Sequence, residues 1–327
     1  MSAPQRKPLP RVRSIGIAEA AYTSPFRSWH SRSSVRTKPR RAIEEEEPSG
    51  LVYFPPELVP VSEHALVQGL GADTVNRVLI QQLHTYLEFT SELEVGAVNP
   101  VTAMISRRRS GFDLPETMVE DAYKIYTDEA WHAQFSDDLG RQVAVKTGVG
   151  PSVFEEPNFF RKLKGFQLDL VPDEQRLVMI FFTIVSETLI SAILDDIPED
   201  PRVVMAVREL VADHAQDEGR HHAYFNRLLE FTWPRLNKTQ RALIGPLLPE
   251  MILAFLEPDF VAIAGNLRAC GLTAEQIDQV MTESYPAATV SAGIRASSKA
   301  TIRHFERVGV VDDPRTAEAL EASRLWP

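Results

Sequence analysis

A single cysteine, Cys270, stands in the 327 residues. It excludes an intramolecular disulfide framework and a multi-cysteine zinc site, and it fits a reducing, cytoplasmic setting. Long apolar runs are also lacking. The most apolar stretch, Leu177 to Val185, is too short to span a bilayer and is soon followed by Glu187. No secretory apolar region follows Met1, so no membrane role is expected. Alternating strand patterns, solenoid repeats and a βαβ rhythm are missing as well. Gly69-Leu-Gly71 opens a helix with no strand before it, which removes the dinucleotide fingerprint.

Basic charge is scarce in most of the chain. The net charge is −10, yet residues 1–41 hold ten Lys or Arg and one acid, Glu19, which leaves 25 basic and 44 acidic residues in the remainder. An acidic body argues against nucleic acid as a partner. The basic arm, residues 1–50, is rich in Pro, Ser and Arg and ends in the acids Glu44–Glu47. Its composition predicts a largely irregular segment with short helical pieces, a solvated tail in the plainest reading and otherwise an arm that touches an acidic partner or the chain's own acidic body. Residues 51–327 read as one domain.

What is present is helical periodicity. Leu51 to Ala65, with Pro55, Pro56 and Pro60, predicts an extended segment laid on the body. Asp73 is placed to cap a first long helix that runs to Leu93 and ends before Pro100. Asp113-Leu-Pro-Glu116 resembles a capping box for a second, stopped near Lys146 by Gly148. A short helix near Asn158–Phe166 follows. Pro172-Asp173 opens a third long helix, apolar nearly all round and therefore central. The fourth spans about Pro201 to Phe231. Asn237 can cap a further helix to about Phe255, and shorter ones follow near Asp259–Cys270, Ala274–Thr282 and Ala292–Val308. The predicted class is all-α: a four-helix bundle core with added C-terminal helices and an irregular N-terminal arm.

Each long helix carries an acid on its apolar face. Glu94 stands alone on the first and Glu187 alone on the third. The second holds Glu129 and His132, the fourth Glu218 and His221, each pair spaced Glu-x-x-His. A lone Glu on two helices and a Glu-x-x-His on the other two is the ligand plan of dimetal carboxylate bundles. The lone Glu precedes its pair by 35 residues in the first half and by 31 in the second, which implies two helix pairs, each supplying half a site. His214 adds a third imidazole. It shares a stripe with Glu218 and His221 within roughly 60° on a helix. Carboxylate with imidazole suits iron or manganese better than calcium or magnesium. Buried charges of this number cost several kcal/mol each unless a cation offsets them. Asp128 and Asp217 each precede a ligand Glu, and either can accept the outer N–H of a ligand His on a neighbouring helix. Tyr86 either hydrogen-bonds near the metals or fills the core.

Four stretches together resemble the para-aminobenzoate N-oxygenase family of non-haem diiron enzymes: YLEFTSELE (Tyr86–Glu94), DEAWH (Asp128–His132), SETLIS (Ser186–Ser191) and HAQDEGRH (His214–His221). FPPELVPVSEH (Phe54–His64) is similar to that family's lead-in, and RVGVVDD (Arg307–Asp313) to its end. The resemblance runs over about residues 50–313 and leaves the basic arm uncovered. It implies Glu94, Glu129, His132, Glu187, His214, Glu218 and His221 as ligands of two iron ions, with no catalytic residue beyond them. It further implies O2 as co-substrate, manganese as a possible substitute, and oxidation of an amine to hydroxylamine, nitroso or nitro products in bacterial secondary metabolism. A homodimer and an external electron donor are expected. The alternatives are a diiron C–H hydroxylase or desaturase, a non-enzymatic ferritin-like iron protein, and an interaction protein that uses its basic arm around a structural metal. Pocket-lining residues are expected one turn from the ligands: Thr90, Ser91, Val98, Phe135, Ile190, Ser191 and Leu194. Arg295, Lys299, Arg303 and His304 predict a solvated basic face.

Overall fold

The computed structural model describes residues 22–152, 156–190 and 197–326. Two short helices lie in the arm, α1 (Trp29–Arg32) and α2 (Ser34–Thr37). The proline-rich lead-in is not extended. Pro56–Leu58 and Pro60–Glu63 form 3-10 turns, with Phe54, Val59 and Val61 buried against the body. A proline at the first position of each turn presets the backbone angle such a turn needs. After α3 (Ala65–Gln68), Gly71 rather than Asp73 stands at the start of α4 (Ala72–Leu93). Its φ of 96° is one a side chain would resist.

Pro100 does not end this helix. Proline has no N–H, and in a regular α-helix its ring would strike the Gly96 carbonyl. The backbone instead widens into one π-helical turn, Glu94–Val98, in which the Asn99 N–H donates to the Glu94 carbonyl. The α-helix resumes as α5 (Asn99–Ser106), with Pro100 in its first turn, where an N–H is dispensable. Such single π turns are rare and gather at functional sites. This one begins on Glu94.

The second long helix, α6 (Glu116–Thr147), starts behind Pro115 without a side-chain cap, so the expected Asp113 capping box does not form. It does end at Gly148, in the left-handed conformation (φ 70°). Then come α7 (Asn158–Gln167), α8 (Pro172–Leu189) and α9 (Met205–Thr232). Helix α8 is central, as its all-round apolarity demands: every residue from Ile180 to Ile190 is buried. The C-terminal part is α10 (Lys238–Leu256), α11 (Phe260–Ala269), α12 (Ala274–Ser284), α13 (Ala287–Val308) and α14 (Pro314–Ala322). Asn237 caps α10 as expected, accepting from Gln240 N–H. Helix α14 adds to the sequence reading.

The class is all-α, and no strand occurs among the described residues; Val52 and Val203 form one isolated bridge. Helix α4 packs on α6, α8 on α9, and α6 on α9, with the π turn reaching α8; these four long helices are the bundle. Helix α10 backs α8 and is closed by α14. No helix of the described residues is long and apolar enough to cross a membrane.

The described part of the arm is not a solvated tail. Trp29, Ser33 and Ser34 are buried, and the bases pair with the acidic body. Arg41 reaches Asp213 at 2.7 Å and Glu209 at 2.8 Å, Arg40 reaches Asp138 at 2.7 Å, and Lys38 reaches Asp213 at 3.2 Å. Composition reported the arm's charge but not the complementary acids of α6 and α9, which are distant in sequence.

Candidate metal centre

The spacing of Glu94, Glu129, His132, Glu187, His214, Glu218 and His221 turns all seven side chains inward, and each is at most 2% exposed. Two groups form. Glu94, Glu129, His132 and His214 offer ligand atoms that all lie within 4.8 Å of one another. Glu129, His132, Glu218 and His221 do the same. Glu129 and His132 belong to both, so the two groups adjoin. Glu187 belongs to neither, yet the charges of Glu218, Glu129 and Glu94 act on its buried carboxyl.

The contacts are those of ligand atoms aimed at a common point. His221 Nδ1 stands 2.7 Å from Glu129 Oε1, which nevertheless has no hydrogen-bond partner. His214 Nε2 lies 3.2 Å from Glu218 Oε1 and 3.6 Å from Glu94 Oε1, and among the described residues neither of its ring nitrogens has a well-formed hydrogen bond. Glu94 Oε2, Glu187 Oε2 and Glu218 Oε2 are likewise buried without partners among the described residues. A native interior leaves few polar atoms in that state, and a cation among them would satisfy all of them together. The donor set fits: four carboxylates carry four negative charges, which two divalent ions balance.

The electrostatics say the same. Burial, then the Glu129 charge, pushes the Glu94 carboxyl up to about 8. Burial and the charges of Glu218, Glu129 and Glu94 hold Glu187 well above the carboxylate range. Burial acts against the charge of His132 and His221 too, but their carboxylate neighbours outweigh it and raise both. Glu218 goes the other way. Its burial is overcome by His221 and His214, which lower it well below the ordinary value. Without metal, protons must stand where positive charge is wanted.

Asp128 and Asp217 lie directly behind two of the candidate ligands. His221 Nε2 meets Asp128 Oδ2 at 3.2 Å, and His132 Nε2 meets Asp217 Oδ2 at 3.2 Å. Each Asp therefore serves the histidine of the other helix, and each imidazole turns its Nδ1 toward the glutamates. His214 has no such support. Tyr86 is buried beside Phe54, their ring centres 5.9 Å apart. Burial, then the Glu218 and Glu94 charges, raises its phenol far above the ordinary range, so it keeps its proton.

Of the expected lining residues, Thr90, Val98, Phe135 and Ile190 are buried and Ser91 is half-buried. Phe135 packs on His132 and His214, with ring centres 5.3 and 5.9 Å away. Ser191 and Leu194 lie outside the described residues. Arg295, Lys299 and Arg303 are exposed as expected, whereas His304 is buried, with Nε2 3.1 Å from the Asn226 carbonyl. The sequence reading missed Trp29, Ser33 and Ser34, which hydrogen-bond to Asp128 and Asp217. The one available signal was a tryptophan inside an otherwise polar, basic segment.

A family model described as P-aminobenzoate N-oxygenase AurF matches residues 18–309. It spans the bundle and begins inside the basic arm, earlier than the motifs indicated. A 4-aminobenzoate N-oxygenase of Streptomyces thioluteus is 25% identical over 273 residues, covering 81% of this chain and 80% of that protein.

Proposed function

The chain belongs to the p-aminobenzoate N-oxygenase family, and we propose that it is an O2-dependent, non-haem diiron N-oxygenase acting on an amine, most directly an arylamine. The observation that carries this reading is the pair of adjoining buried groups sharing Glu129 and His132. The similar 4-aminobenzoate N-oxygenase supports the arylamine as substrate class.

Glu94, Glu129, His132, Glu187, His214, Glu218 and His221 would hold the two ions. Bound there, iron supplies the electrons and Lewis acidity with which O2 is activated. The chain supplies the rest. Its four glutamates would offset the charge of two divalent ions. His132 and His221 are held by Asp217 and Asp128 with Nδ1 inward, and His214 adds a neutral donor. Tyr86 retains an O–H beside Glu94 and Glu218. Phe135, Val98 and Ile190 keep the surroundings apolar and dry. The electron donor is external in this reading.

The test is anaerobic loading with ferrous iron, metal analysis, then exposure to O2 with p-aminobenzoate and other arylamines and mass spectrometry of the products. Two irons per chain and oxygen added at the amine nitrogen are expected. Oxygen found on carbon, or O2 consumed with every amine left intact, would overturn the proposal.

A further inference from the structure

Asp128 and Asp217 are both buried completely, and each is held from two sides. On the inner side stand His221 and His132. On the outer side stands the N-terminal arm. Trp29 Nε1 donates to both oxygens of Asp128, at 2.9 and 2.8 Å, and Ser33 Oγ donates to Oδ1 at 2.5 Å. The Ser34 backbone N–H lies 3.2 and 3.1 Å from the two oxygens of Asp217, which also takes the Arg220 guanidinium. Phe26 stacks on the His221 ring, centres 5.9 Å apart and planes 21° from parallel.

We propose that residues 26–37 are a positioning element of the metal centre, fixing the carboxylate planes of Asp128 and Asp217 and through them the Nδ1-inward orientation of His221 and His132. The proposal rests on the metal reading above. A carboxylate that receives the outer N–H of a histidine decides which ring nitrogen is left for a metal. It does so only if its own plane is held. Among the described residues no Lys or Arg pairs with Asp128; apart from His221, its hydrogen bonds come from Trp29 and Ser33. Without them the carboxylate can rotate about its side chain, and His221 loses its reference. Mere tethering of the arm would not need these contacts, because Arg40 and Arg41 already bind it to Asp138 and Asp213.

Trp29→Phe and Ser33→Ala, singly and together, remove the donors while the arginine pairs still dock the arm. The probe is cobalt(II), whose visible bands report ligand geometry without turnover, followed by timed release to a chelator. The double variant should keep the parent's helicity and the arm's resistance to protease. It should show altered cobalt bands and release metal about tenfold faster, the low end of what loss of an outer partner costs. Ser33→Thr, which keeps the hydroxyl, should restore the parent's behaviour. If the double variant does not fold, Ser33→Ala against Ser33→Thr makes the same comparison. Parental bands and release rates in a folded variant would overturn the proposal. A parent protein that takes up neither cobalt nor iron would instead overturn the metal reading on which it stands.

Discussion

His132 on α6 sets its Nε2 3.2 Å from Asp217 of α9, while His221 on α9 sets its own 3.2 Å from Asp128 of α6. The two helices are laced by a crossed pair of contacts directly behind the candidate ligands. Neither helix can rotate without disturbing the other's histidine.

Asp217→Asn tests that lacing. The amide keeps the shape but is a weaker acceptor, and it is free to turn its NH2 toward His132. Metal affinity should drop about 10- to 100-fold with unchanged helicity, measured by competition with a chelator of known affinity.

Glu187→Gln separates binding from folding. Burial and like charges make this carboxylate costly in the metal-free protein. Its neutral isostere should therefore leave metal-free unfolding at the parent's temperature or above it. Iron uptake should fall below two per chain, and with it the thermal shift that loading produces. Thermal unfolding with and without ferrous iron, paired with metal analysis, reads both. A variant that still binds two irons would contradict the ligand role.

The pH dependence follows from the raised groups. Glu94 is pushed up to about 8 from 4.5, and His132 and His221 are raised from 6.5. The folded metal-free state thus holds more protons than the unfolded chain over this range, so its stability is lost as pH rises. Glu129 and Glu218 are lowered and act in the opposite sense, but only as pH falls below their ordinary value of 4.5. Burial also lowers His84, His222 and His304, which oppose the trend around their ordinary value of 6.5 and are neutral in both states above it. The melting temperature of the metal-free protein should therefore fall between about pH 7 and 8, and the gain on adding metal should widen over the same interval. A flat metal-free profile would refute the assignment of protons to the cluster.

Gly245 marks where α10 meets α14. A Cβ there would overlap Thr316 Oγ1, so Gly245→Ala should cost about 1–3 kcal/mol by overpacking, measured by urea unfolding. Adding Thr316→Ala should return part of that loss, since the two positions share one contact. Metal content should be unaffected, because the contact lies outside the cluster.

The all-α class, the four long helices and the inward, buried placement of the seven candidate ligands were legible in the sequence. Apolar periodicity fixes which face of each helix turns inward, and acids placed on that face must go in with it. Helix ends with local causes were also read correctly: Gly148, Asn237 and Pro172 act through their own backbone or side chain. Pro100 was read as a stop because the rule considers only α geometry. The π turn that accommodates it lies outside that geometry, with Glu94, Ala97 and Val98 buried.

By itself, then, the sequence determined the inward faces, since periodicity is a property of neighbouring residues along one chain. The tertiary structure alone decided that Glu129 and His132 are shared between two groups, that each Asp serves the opposite helix, and that a basic arm is buried against those Asp residues. These are relations among segments far apart in the chain. They depend on how helices rotate and settle against one another, and no local pattern encodes that choice.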